Sequence, residues 1–285
     1  MPLRSDMYFM TQRRTHGRVL KIKRFKLTSG QPSYSSKCVK LRRSNIILLE
    51  VHNMINQTQR QQLKTLSLFQ SVSDETLNTI LAASKKVTYK KNSYVFHDQE
   101  ELQHVFIVLS GKLSMYKMGE NGQKRIVFIL DRGHILNDDI TAQHLSSINC
   151  HVFEESLLLV CPKDVFITQL SVDFSLTKAV LEQYTQKLRR TYRQLKNSPA
   201  SLSIEKKVAA KLVKLAYDFG QTHPSGTRIE LHLSVTYLAD MLSAQRETVS
   251  RALKKLVQEE LIMYEDKTII IHDVKKLSTF FKTQL

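Results

Sequence analysis

Arg246, Glu247, Ser250 and Arg251 lie within six residues of one another in the stretch RETVSRALKKL. On a helix turning ~100° per residue they occupy an arc of about 140°. Guanidinium groups are planar forks of donors, and a carboxylate accepts only, so this ridge is equipped for hydrogen-bonded recognition. Val249, Ala252, Leu253 and Leu256 fall on the opposite side, as a packed face should. The helix is therefore held by one face while the other presents a short, chemically mixed ridge. A solvated charged face on an ordinary surface helix is the competing reading, and the neighbouring elements decide between the two. No nucleophile elbow, glycine-rich phosphate loop or Cys/His metal spacing occurs elsewhere in the chain.

Those neighbours form a sequence of short elements. Ser234 is placed to cap a helix over VTYLADML, and a three-residue turn, Ser243 to Gln245, leads into the helix carrying Arg246. LIMYEDKTIIIHD then reads as a tight hairpin around Glu265–Lys267. Helix, turn, helix and a two-stranded wing make a winged helix-turn-helix.

Further upstream, a helical pattern spans about Leu63 to Ser84, with Ser73 as N-cap and Leu77, Ile80 and Leu81 on its apolar side. The period then changes to short β-branched and aromatic runs cut by Gly, Asn and Asp, with MGENGQK as a hairpin turn. Several such strands predict a small antiparallel barrel or roll. A long helix follows over about Val172 to Leu195. In it Leu181, Tyr184, Leu188, Tyr192 (or Thr191) and Leu195 recur at three- and four-residue steps, the pattern of a coiled-coil seam. KNSPAS at 196–201 reads as a hinge, Ser203 to Phe219 as a second helix ending at Gly220, and QTHPSGT as a loop.

Composition bounds the partners. The formal charge is +17, which points to a polyanion, nucleic acid before membrane. Residues 1–53 hold 12 Lys/Arg against 2 Asp/Glu, so most of that excess lies in the first fifth of the chain. This segment is expected to be a disordered basic extension, or the product of a gene start placed too early, with Met54 the alternative start. Three scattered cysteines, Cys38, Cys150 and Cys161, do not make a disulfide framework and fit a reducing cytoplasm. No apolar run approaches the ~20 residues of a membrane span.

At this point the sequence closely resembles the Crp/Fnr superfamily of bacterial transcription regulators. RETVSRALKKLVQEELI followed by KTIIIHD is similar to its recognition helix and wing. LFQSVSDETL, VFIVLSGKL and LDRGHI resemble landmarks of its effector-binding β-roll. The likeness runs from about Leu66 to His272. It implies an α+β chain with an N-terminal antiparallel, cyclic-nucleotide-binding-like β-roll at 54–170, a dimerisation helix at 171–196 and a winged helix-turn-helix at 197–285. It also implies that Arg246, Glu247 and Arg251 read bases. This agrees with their chemistry, because arginine forks onto guanine O6 and N7 while glutamate accepts from cytosine N4. By similarity to members carrying R-E-x-x-x-R, the half-site should hold a TGTGA-like core. Thr248, Ser250, Lys254 and Lys255 are expected on phosphate oxygens, which position without specifying. The chain departs from the family at Ser243, where glycine is usual, and at Gln245, where serine often caps the helix.

The sensor half departs further. Cyclic-nucleotide members use a Gly-Glu pair for the ribose and Arg-Ser or Arg-Thr for the phosphate. Here Asn137 and Asp138 stand at the first pair, Ser146 and Ser147 near the second, and no arginine occurs from 133 to 162. A buried phosphate would lack its cationic partner, which argues against cyclic AMP. Three dispersed cysteines cannot supply the four ligands of the iron–sulfur members. Cys150 and Cys161 are expected in strands, as core residues or as a thiol pair. His97, His104, His134, His144 and His151 show no paired metal spacing. Those four residues, Asn137, Asp138, Ser146 and Ser147, remain the expected effector pocket, for an unidentified small-molecule or redox signal. The reading is a homodimeric cytoplasmic regulator on double-stranded DNA, without resident cofactor, metal or catalytic residue, and with RNA polymerase as partner if it activates. The alternatives are a cupin-like metal- or ligand-binding enzyme with a helical tail, and a regulator that needs no effector.

Overall fold

A computed structural model describes residues 58–120, 122–141, 144–196 and 202–282, with side chains at 194–196 outside the description. The basic segment 1–53, Met54, Cys38, the hinge at 197–201 and the Leu195 side chain therefore lie outside the described residues. Helix α1 covers 58–64 and α2 covers Asp74–Ala83. The helical pattern expected over Leu63 to Ser84 is thus broken by turns at 65–71. Ser73 is the N-cap of α2, its hydroxyl accepting from the Thr76 N–H at 3.2 Å.

Seven strands follow: β1 (Lys85–Tyr89), β2 (Tyr94–Phe96), β3 (His104–Ser110), β4 (Leu113–Met118), β5 (Lys124–Leu130), β6 (Asn149–Val152) and β7 (Ser156–Pro162). They form two antiparallel sheets, ordered β1-β7-β3 and β2-β6-β4-β5. Between β4 and β5 the Gly119 N–H donates to the Gln123 carbonyl and Gly122 takes a φ of +73°, the left-handed geometry glycine tolerates. β3 is apolar on both faces for a reason. Phe106 and Val108 enter the roll interior with Leu113, Met115, Leu130 and Leu136, while Val105 and Ile107 face a second core. In that second core Leu77, Ile80, Phe166, Leu176 and Val180 pack helices against the outside of the roll. A strand buried on both faces reads as a continuous apolar run.

Cys150 lies in the roll interior and Cys161 in the helix-side core, on strands of different sheets. Burial raises the pKa of both thiols, so neither is a ready thiolate. A redox switch between them, left open by the sequence, does not fit this placement.

The long helix expected over about Val172 to Leu195 is α4 (Phe174–Lys196), and a further helix, α3 (Lys163–Val172), precedes it. They break at Asp173, whose carboxylate accepts from the Ser175 and Ser73 N–H groups. After the hinge come α5 (Ile204–Phe219), β8 (Gly220–His223), β9 (Gly226–Ile229), α6 (Val235–Leu242), α7 (Arg246–Gln258), β10 (Ile262–Glu265), β11 (Thr268–Ile271) and α8 (Val274–Lys282). The segment expected as a plain loop, QTHPSGT, is a hairpin. It enlarges the two-stranded wing to a four-stranded sheet ordered β10-β11-β9-β8. The wing turn has Asp266 and Lys267 both at positive φ (46° and 63°), the type I′ geometry that matches strand twist.

Candidate nucleic-acid interface

The two helices of the turn motif are fixed by one core. Leu238, Ala239 and Met241 of α6 meet Val249, Leu253 and Leu256 of α7, with Ile229, Ile262, Ile269 and Ile271 of the wing sheet beneath them. Ser234 caps α6, its hydroxyl accepting from the Tyr237 N–H at 3.1 Å. The connecting turn bends at Ser243, which takes a left-handed φ of 50° and ψ of 45°. Glycine is free of the side-chain clash there and serine is not, so the turn carries a small strain. Gln245 precedes α7 with no side-chain cap, as its residue type suggested.

On α7 the packed and open faces separate as the spacing predicts. Val249, Ala252, Leu253 and Leu256 are buried, while Arg246, Glu247, Arg251, Lys254 and Lys255 are exposed. Thr248 and Ser250 are half-buried at the flanks. The Arg246 guanidinium lies 3.7 Å from the Glu247 carboxylate, a surface pair that leaves both groups open to a larger partner. Forked donors and an acceptor thus stand together in the first two turns of an exposed helix, the part that enters a major groove in helix-turn-helix proteins.

Two domain families match the chain: the Cyclic nucleotide-binding domain over residues 86–173 and the Crp-like helix-turn-helix domain over residues 206–280. The chain belongs to the Crp/Fnr superfamily. It is a DNA-binding transcription regulator of that type. It is similar to a CRP-like cAMP-activated global transcriptional regulator of Mycobacterium tuberculosis, 21% identical over 212 residues, 74% of this chain and 94% of that one. The cAMP-activated global transcriptional regulator CRP of Pasteurella multocida is 24% identical over 211 residues, 71% of this chain and 97% of the relative. Among solved structures, FixK2 from Bradyrhizobium japonicum shares the fold at a TM-score of 0.61 and 16% identity, covering 71% of this chain and 99% of that chain.

Of the four residues expected at the effector pocket of this Crp/Fnr chain, Asp138, Ser146 and Ser147 are bonded to one another in a closed knot, while Asn137 is bonded to the backbone of β3. Asn137 is fully buried; its Oδ1 accepts from the Phe106 N–H at 2.9 Å and its Nδ2 donates to the His104 carbonyl at 2.9 Å. Asp138 accepts from the Ser147 N–H at 2.8 Å and from the hydroxyls of Ser147 and Ser146. All four side chains are thus engaged within the protein.

Sequence reasoning missed the polar clamp behind this knot. From α4, Gln183 accepts from the Ile135 N–H at 3.0 Å and donates to the Gly133 carbonyl at 2.7 Å. Lys187 donates to the Ile135 carbonyl at 2.7 Å, and the Tyr184 hydroxyl to the Asn137 carbonyl at 3.2 Å. Burial holds the Lys187 pKa down to about 8, against the opposing pull of Asp138. The signal was available: Gln183 and Lys187 continue the helical face of Leu176 and Val180, four residues apart.

This clamp corrects the expected seam. Tyr184 belongs to the roll-facing side of α4 and not to its open stripe. The open stripe runs through Phe174, Lys178, Leu181, Thr185, Leu188 and Tyr192, in strict four- and three-residue steps. Phe174, Leu181, Leu188 and Tyr192 are 76%, 59%, 51% and 60% exposed. Among the described residues no three His, Cys, Asp or Glu side chains gather as a metal set. No described helix is long and apolar enough to cross a membrane.

Proposed function

We propose that this regulator acts as a homodimer on a near-palindromic operator. Arg246, Glu247 and Arg251 read base edges of a TGTGA-like half-site, and Thr248, Ser250, Lys254 and Lys255 hold phosphates. The observation that carries the proposal is the coexistence of two open surfaces: the polar ridge on α7 and the heptad stripe on α4 with its exposed Phe174, Leu181, Leu188 and Tyr192. Pairing two copies along that stripe gives a two-fold axis, and a two-fold protein calls for half-sites about one helical turn, ~34 Å, apart.

Within this proposal the protein is a cytoplasmic regulator and not an enzyme, works without resident cofactor or metal, and engages RNA polymerase if it activates. Cyclic AMP is not its effector. The internal engagement of Asn137, Asp138, Ser146 and Ser147 favours a roll that serves as a dimer scaffold, leaving the free protein competent for DNA.

Fluorescence anisotropy of the full chain without ligand tests this reading. It compares a duplex holding two inverted TGTGA-like half-sites with a scrambled duplex at ~0.15 M salt. Tight, selective binding is expected. Arg246→Ala should cost ~1–3 kcal/mol on the specific duplex and little on the scrambled one. Equal loss on both removes the base-reading role, and unselective wild-type binding removes the ligand-free reading.

A further inference from the structure

Helix α5 has two faces. Val208, Ala209, Leu212, Leu215 and Ala216 are buried in the winged-helix core. Lys207, Lys211 and Lys214 recur at helical spacing on the other side, with Tyr217 one step further on. An ordinary amphipathic helix would turn such a face to open water. Here it forms one wall of a groove of about 630 Å3. Arg125 of β5 and Arg190 and Arg193 of α4 line the same space, and Met241 to Ser243 of the turn motif border it.

Six cationic side chains from three elements therefore converge on one volume, against the single carboxylate of Asp218. Asp218 is already shared, at 3.2 Å from Lys214 and 3.8 Å from Arg190. Among the described residues no carboxylate lies within ion-pairing reach of Arg125, Arg193, Lys207 or Lys211. Lys211 is the most enclosed of the four. Burial, with Lys214 and Arg125 nearby, brings its pKa down to about 8 against the pull of Asp218. Like charges gathered in a partly enclosed space repel one another, and a multiply charged anion turns that repulsion into binding.

Shape narrows the ligand. A concavity of this volume suits a small molecule. One side also carries Tyr217, 77% exposed, with Phe281 and Met241. An exposed ring beside a cationic pocket offers a stacking surface for a planar heterocycle. We propose that this groove binds a polyphosphorylated nucleotide, its phosphates on Lys207, Lys211, Lys214 and Arg125 and its base against Tyr217. Such a ligand would tie together the roll, α4 and α5, and so bear on the orientation of the recognition helix without entering the roll interior.

Calorimetric titration of the full chain with inorganic tripolyphosphate and with ATP, in magnesium-free buffer, tests the proposal. Each should bind one per chain, with ATP the tighter. Lys211→Gln should weaken both tenfold or more. Because it replaces an enclosed cation with a neutral side chain, its melting temperature should not fall. Lys207→Gln, on the same wall, repeats the test at a second position. Tyr217→Ala should remove the advantage of ATP and leave tripolyphosphate unchanged, while Arg246→Ala should alter neither. Absence of saturable binding overturns the site, as does wild-type affinity in both lysine variants. Binding lost in Arg246→Ala instead assigns the phosphates to the DNA surface. Tripolyphosphate binding with an ATP advantage that survives Tyr217→Ala overturns the nucleotide assignment.

Discussion

The sharpest perturbation is Leu188→Glu on the open stripe of α4. Full burial of a leucine is worth about 1.5–3 kcal/mol. Leu188 is 51% exposed in the single chain, so pairing has roughly half of that left to gain, about 1 kcal/mol per protomer. A glutamate at the same position also faces its own symmetry mate, which roughly doubles the loss. Two copies per dimer bring the total to about 2–4 kcal/mol, a dissociation constant ~30- to 1,000-fold weaker. Sedimentation equilibrium of the full chain across a concentration series measures it directly. Two companions separate the seam from the clamp. Thr185→Leu fills a stripe position and should tighten the dimer. Tyr184→Phe removes the hydroxyl bonded to the Asn137 carbonyl at 3.2 Å, lowering folding stability by about 0.5–1.5 kcal/mol with the dimer unaffected. A dimer that tolerates Leu188→Glu, or that is weakened more by Tyr184→Phe, would refute the reassignment of the seam.

Other outcomes follow from the same geometry. Asn137→Ala strands the Phe106 N–H and the His104 carbonyl in the roll and should cost about 2–4 kcal/mol in urea unfolding. A cost under ~1 kcal/mol would return Asn137 to a ligand-facing role. Ser243→Gly relieves a left-handed serine, and Gln245→Ser supplies the missing cap of α7. Each should raise stability by about 0.5–1 kcal/mol in thermal melts, with DNA selectivity unchanged. Lys187 has its pKa lowered to about 8, so between there and its ordinary value the unfolded chain holds the extra proton. Its contribution to stability should therefore rise with pH above about 8, partly offset as Cys150 and Cys161, whose pKa values the fold raises, ionise in the unfolded chain. The rise should shrink in Lys187→Met, and an unchanged slope in that variant would remove Lys187 as its source.

Much of the DNA-reading half was legible because its signals are local. A cap at Ser234, three turn residues and the apolar side of RETVSRALKKL each depend on neighbours within four positions. The wing was harder. QTHPSGT reads as a loop because its polar residues carry no strand periodicity, and β8 and β9 arise from pairing with each other and with β11. Helix α3 was not read in the sequence, and the Asp173 carboxylate that separates it from α4 accepts from the Ser73 N–H, a hundred residues away.

By itself the sequence determined which helix carries the ridge, which residues stand on it, and that a roll, a long helix and a winged helix follow in order. Periodicity and capping are short-range, and short-range preferences are written residue by residue. Only the tertiary structure decided which face of α4 is open. Leucine and tyrosine at three- and four-residue steps fit either side, until Gln183, Tyr184 and Lys187 claim one side for the roll. It alone brought Lys207, Lys211 and Lys214 opposite Arg125 and Arg190. Each set looks like an ordinary solvated face in sequence, and their charges meet only when strand β5 and helices α4 and α5 enclose one space.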